Sequence, residues 1–269
     1  MIQIIPIKER NEKTVDTDKI FFIPNEIKNG DETITLNSMA EKYNYAINNI
    51  ILKQDDELVC FRHIDTEIRT PMDICEYKLN NLFADKKVGI AGLIGTIMLE
   101  SSCTWWAPNR DMIFSGSING SGAIIQGGVR AKTDENGNKV LDENGKEIPE
   151  LFEYPMNDHP GVHDYLATVD GCCLFFPKRT FDAGFRFDET LKEYHFYDCD
   201  ICLQLLEKGY KVSTIDIVVK HQSSGIPSPN FRELGQVFFN KWNKKVHGEW
   251  PISRLSKFYT DDEQQADNK

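Results

Sequence analysis

The sequence predicts an α/β protein: a mostly parallel mixed sheet flanked by helices and interrupted by an irregular, β-rich insertion. Three observations predict it. From residue 37 to 93 apolar runs alternate with helix-periodic segments, the strand, helix, strand, helix, strand order that builds a parallel sheet covered by crossover helices. The same regularity returns between residues 168 and 246. Residues 94–167 differ in texture, being rich in Gly and Ser with weaker periodicity, and read as an insertion. One domain over residues 1–246 is expected, followed by a polar tail at 247–269.

Taken in order, residues 2–7 read as a buried strand and residues 20–23 as a second. About a dozen polar residues separate them, tight for a full crossover helix, so the first unit is expected to be abbreviated. Residues 37–53 carry Met39, Tyr43, Ala46, Ile47, Ile50 and Ile51 at helical spacing, with Asn37 or Ser38 as N-cap. Residues 57–61 form a strand. Thr70-Pro71 opens a helix with Ile74, Tyr77, Leu82 and Phe83 on its apolar side, and residues 87–93 form the next strand. Inside the insertion, Asp134-Glu135-Asn136-Gly137 and Asp142-Glu143-Asn144-Gly145 repeat a hairpin-turn signature. Residues 168–177 are a buried strand, and a helix starting near Asp198 ends at Gly209. Residues 211–219 are a strand and residues 231–246 a last helix.

Composition narrows the function. A formal charge of −11 with no dense Lys/Arg run excludes a general nucleic-acid binder. Seven cysteines without a recurring Cys-x2-Cys spacing fit neither a disulfide framework nor a zinc finger, and a reducing compartment is expected. No segment reads as a signal peptide or membrane span, so a cytoplasmic protein is expected. Its oligomeric state is not legible.

Chemistry-bearing residues gather at strand ends and helix starts, where ligands of α/β sheets bind: Asp65 with Glu67, Asp198 with Asp200, and His221. Carboxylates and an imidazole suit Mn²⁺ or Mg²⁺ bridging a diphosphate, and a carboxylate left off the metal is free to act as a general base. Trp105-Trp106 offers aromatic faces on which sugar rings stack.

The ordered series Ile4-Ile5-Pro6, Tyr43-Asn44, residues 61–67, Gly171 to Phe176, Gly184 to Glu189, Tyr197-Asp198-Cys199-Asp200, Gly209-Tyr210-Lys211-Val212 and His221 resembles a family 2 glycosyltransferase of the GT-A, Rossmann-like fold, closest to the subgroup with a shortened N-terminus. The resemblance implies a metal-dependent inverting enzyme that transfers a sugar from a nucleotide-sugar donor to a hydroxyl of a carbohydrate or glycosylated acceptor. It implies Asp65 on the metal with Glu67 and His221 as further ligands, and Asp198 as the base. Pro6, Ile7, Asn25, Asn44, Asp65 and Gly171 would line the donor, and Trp105, Trp106, Asp170 and His195 the acceptor. This chain has Asp-x-Glu for the family's Asp-x-Asp, Tyr197 where the family often has Glu, and Asn25 where it often has Asp. A nucleotidyltransferase is the alternative enzyme, disfavoured by the lack of a Gly-rich basic loop after the first strand. A non-catalytic glycan-binding domain of degenerate transferase fold is the alternative outside enzymes.

Overall fold

The computed structural model describes residues 1–96, 124–155, 161–164, 166–223 and 228–242. Its strands are β1 (Ile2–Pro6), β2 (Ile20–Ile23), β3 (Glu26–Asn29), β4 (Glu32–Thr35), β5 (Leu58–Arg62), β6 (Thr66–Ile68), β7 (Val88–Gly92), β8 (Gly95–Thr96), β9 (Ile124–Ala131), β10 (Pro149–Pro155), β11 (Thr168–Val169), β12 (Cys173–Pro177), β13 (Lys211–Thr214) and β14 (Val219–Gln222). The helices are α1 (Met39–Asn49), α2 (Met72–Leu82), α3 (Arg179–Asp182), α4 (Tyr197–Glu207) and α5 (Phe231–Trp242).

The central sheet runs β13-β7-β12-β5-β1-β2. All of its pairs are parallel except those of β12, which lies antiparallel between β5 and β7. The expected mixed α/β fold is therefore present, and β12 decides where the site lies. Because it runs backwards, its N-terminal entry stands beside the C-terminal end of β5, with Cys173 opposite Arg62.

Alternation along the central strands splits the core into two layers. Val59 and Phe61 of β5 and Leu174 and Phe176 of β12 pack with Met39, Tyr43 and Ile47 of α1. Cys60, Cys173 and Phe175 face the other way, toward Cys75 and Leu79 of α2 and Phe238 and Trp242 of α5. The six described cysteines are all buried free thiols.

Local chemistry explains most element boundaries. α1 opens with a capping box in which Ser38 Oγ accepts from the Glu41 N–H and the Glu41 carboxylate accepts from the Ser38 N–H. α2 buries Cys75 and Leu79, whereas Ile74 and Tyr77, expected on its inner side, are 42% and 67% exposed. Between β1 and β2 the chain crosses without a helix, as the short spacing predicted. The strand expected at 168–177 is broken by a turn at Asp170–Cys172, and the one at 211–219 divides into β13 and β14.

A second sheet, β10-β9-β14-β6, grows from the end of β5. The turn residues 134–137 and 142–145 lie at the tip of the β9–β10 excursion, with Gly137 and Gly145 at φ 82° and 76° as those turns require. No described helix is long and apolar enough to cross a membrane.

Candidate active site

The site begins where β5 ends. Thr66 donates through both its N–H and its hydroxyl to the His63 carbonyl, at 3.2 and 2.6 Å. This tight turn, also held by the Arg62 guanidinium on the Thr66 carbonyl at 2.9 Å, places His63 and Asp65 together. β6 then pairs with β14, setting His221 opposite Thr66, and the Gln222 N–H donates to the Asp65 carbonyl at 2.9 Å. His221 Nε2 thereby comes within 3.7 Å of Asp65 Oδ1, and His63 Nδ1 within 4.0 Å of the same oxygen.

One donor atom from each of His63, Asp65 and His221 falls within 4.8 Å of the others, the spread of a group that could hold one cation. His221 Nε2 is buried and makes no hydrogen bond. A buried ring nitrogen left without a partner costs about 1–3 kcal/mol, and a metal ion would supply what it lacks. Two imidazoles with a carboxylate suit Mn²⁺ better than Mg²⁺, which prefers an all-oxygen shell.

Glu67, expected among the ligands, is not brought to this group. Strand alternation turns it to the other face of the second sheet, where it pairs with Arg69 at 3.0 Å beside the Lys220–Glu153 pair. His63 takes its place. The sequence offered one cue to it, a histidine two residues before Asp65 at a strand end, but only the pairing of β6 with β14 turns His63 and His221 toward one another.

Asp198, at the start of α4, is linked to this group through Tyr197 and Gly171. The antiparallel entry of β12 presents the Asp170-Gly171 turn to it, and the Gly171 N–H donates to Asp198 Oδ2 at 2.8 Å. The Cys199 N–H donates to Oδ1, also at 2.8 Å. Burial and the neighbouring Asp170 carboxylate outweigh these bonds and push the Asp198 carboxyl up to about 7. Asp170 Oδ1 is itself held by the Cys172 N–H at 2.7 Å.

Tyr197 joins the two ends. Its hydroxyl donates to the Gly171 carbonyl at 3.0 Å and lies 2.8 Å from His63 Nε2. With its one proton on Gly171, the phenol must accept from His63 Nε2–H, which leaves His63 Nδ1 as the bare nitrogen facing Asp65. Burial holds the His63 imidazole below its ordinary range, with Asp65 and Asp170 opposing, so the ring is neutral as ligation requires. Phe196, just before Tyr197, sits at φ 64°, a left-handed conformation at the entry to α4.

The remaining expected residues fall as follows. Pro6 and Ile7 are buried at the end of β1, where the Lys42 ammonium donates to the Ile7 carbonyl at 2.6 Å. Asn25 is half-buried after β2 and uses its backbone to bridge Lys8 and Leu36. Asn44, expected at the donor, instead spends its amide on the loop before α4: Nδ2 donates to the Phe187 carbonyl and to Glu189 Oε1, and Oδ1 accepts from the Phe187 N–H. His195 packs edge-on against Phe231 and accepts from the Ser228 N–H at 3.2 Å. Trp105 and Trp106 lie outside the described residues. Asp200 is wholly buried and ties α4 to α5, accepting from Trp242 Nε1 at 2.7 Å and from Lys241 Nζ at 2.6 Å.

Comparison with known proteins follows this geometry. No curated protein sequence matches the chain. Among solved structures, a crystal structure of GalNAc-T7 with UDP, GalNAc and Mn²⁺ aligns over 98% of this chain and 53% of its own, at 10% identity and a TM-score of 0.48, so this chain spans about half the length of that one. The model of the glycosyltransferase-like family matches residues 22–245, most of the chain including His63, Asp65, Asp170, Gly171, Tyr197, Asp198 and His221, and the protein belongs to that family.

Proposed function

We propose that this protein is a metal-dependent inverting glycosyltransferase that moves a sugar from a nucleotide-sugar donor to a hydroxyl of a carbohydrate or glycosylated acceptor. Residues 1–246 would form its transferase domain. The observation that carries the reading is the linkage of two unlike groups through Tyr197 and Gly171: His63, Asp65 and His221, with a buried nitrogen that makes no hydrogen bond, and Asp198, raised to about 7.

On this reading His63, Asp65 and His221 would hold Mn²⁺, and Glu67 would not. When bound, the ion neutralises charge on the departing nucleoside diphosphate. Asp198 accepts the proton of the acceptor hydroxyl as its oxygen bonds to the anomeric carbon on the face opposite the leaving group, which inverts that centre. A carboxylate raised to about 7 is a stronger base than an ordinary one, half ionised near pH 7 and ionised above it. The Gly171 N–H and the Cys199 N–H hold it in one orientation, and the Asp170-Gly171 turn borders the sugar.

The reading is tested by thermal shift with UDP-, GDP-, CMP- and TDP-sugars, each with and without Mn²⁺. A ligand that binds the native state alone stabilises it by mass action, so one nucleotide class should raise Tm only when Mn²⁺ is present. Once a donor is found, the anomeric configuration of the product by proton NMR tests inversion. No metal-dependent shift with any of the four would sink the proposal.

A further inference from the structure

The second sheet carries the cleft outward. Its registers set Thr66 opposite His221, His221 opposite Gln126, and Gln126 opposite Tyr154, one row across four strands. Residues opposite one another in a sheet project to the same face, so Tyr154 shares the face of His221. Two strand spacings separate them, about 10 Å, a distance that a disaccharide spans.

At that distance the face turns aromatic. The Phe152 and Tyr154 rings lie nearly parallel, 11° apart with centroids 5.6 Å apart. Phe152 lies flat over β9 because its partner there is Gly128, where a Cβ would stand 2.6 Å from the ring. Tyr154 is 43% exposed. The next rung holds Arg130, whose guanidinium is 5.4 Å from the Phe152 centroid and is fixed by Glu150 at 2.9 Å. A stacked aromatic surface edged by a fixed cation and carboxylate matches a pyranose, which is apolar on its C–H faces and polar at its rim. The opposite face of the same strands has another character, with the Lys220–Glu153 and Arg69–Glu67 pairs.

We propose that Tyr154 and Phe152 form an acceptor subsite that stacks a pyranoside ring two strand spacings from His221, making the β9–β10 excursion the acceptor-selecting arm. This rests on the transferase reading for what the bound sugar is for, but not for its binding.

The test is saturation-transfer NMR of the wild-type protein and of Tyr154→Ala, Tyr154→Phe and Phe152→Ala. The probes are methyl α- and β-pyranosides of glucose, galactose, mannose, GlcNAc and GalNAc and their β-linked disaccharides, without nucleotide or metal. At least one sugar should receive saturation that falls roughly fivefold in Tyr154→Ala and is kept in Tyr154→Phe. The nucleotide and Mn²⁺ thermal shift should be equal in all four proteins, which also shows that they are folded. Saturation as strong in Tyr154→Ala as in wild type, or none for any sugar, would overturn the subsite. A Tyr154-dependent signal in a protein that shows no nucleotide shift would keep the subsite and remove the transferase reading. The reverse pattern would do the opposite.

Discussion

Gly171 and Asp198 approach so closely that no side chain fits between them: the glycine N–H bonds Asp198 Oδ2 at 2.8 Å, and a Cβ at Gly171 would stand 3.0 Å from that oxygen and 2.3 Å from the Tyr197 hydroxyl. Gly171→Ala should therefore push Tyr197 and Asp198 away from the turn. A displacement of about 1 Å at a reacting group costs on the order of 100-fold in rate. The expected result is a kcat loss of that size; a Gly171→Ala enzyme with wild-type kcat would show that transfer does not depend on this close approach.

Asp198→Asn keeps an oxygen for the Gly171 N–H but cannot take a proton, so transfer should fall by roughly 100- to 10,000-fold while nucleotide binding persists. Its stability should move the other way with pH. The folded carboxyl, at about 7, holds its proton over a range in which the unfolded one has lost it, so the wild type loses stability as pH rises from about 4 to 7. Asp198→Asn should lack that loss, and Tm against pH for the two proteins checks it.

Asp170 raises Asp198 by charge, and burial does the rest. Asp170→Asn keeps the oxygen that accepts from the Cys172 N–H and removes only the charge. The acid limb of the rate profile, which should rise through about 7 in the wild type as Asp198 ionises, should then shift about one unit toward acid. An unmoved limb would assign it to another group.

For the metal group, His63→Ala and His221→Ala should each weaken the Mn²⁺-dependent thermal shift, raising the Mn²⁺ requirement by at least about tenfold. Glu67→Gln should leave it unaltered, since Glu67 faces Arg69 on the far side of the sheet. Loss of the shift in Glu67→Gln would overturn this choice of ligands.

Much of this was legible in the sequence, and the misses share a cause. The central strands and α1, α2, α4 and α5 followed from periodicity within a few residues, because each element declares its own buried face. Asp65, His221 and Asp198 stood out because they sit at strand ends and helix starts. His63 was not singled out, and Glu67 and Asn44 were expected elsewhere, because their placement depends on which element lies beside them: pairing with β14 turned Glu67 away and His63 inward, and Asn44 bonds the 187–189 loop. The β3–β4 hairpin was missed although Asn29-Gly30 marks its turn, with Gly30 at φ 64°.

Asp200 predicts differently from Asp198 although one residue separates them. Asp200→Asn should leave Lys241 with only Asp188 for charge and cost about 3 kcal/mol, the low end for breaking a buried pair. Urea unfolding measures it, and a variant as stable as wild type would show the pair to be dispensable.

The bond from Trp242 to Asp200 also sets an order of events during synthesis. Asp200 stands two residues from the proposed base, yet its partners Lys241 and Trp242 lie about forty residues further along the chain. A nascent protein that has left the ribosome only as far as β14 leaves the Asp200 carboxylate with Gln204 as its partner within α4, and its bonds to Trp242 and Lys241 form only after the final described helix has emerged.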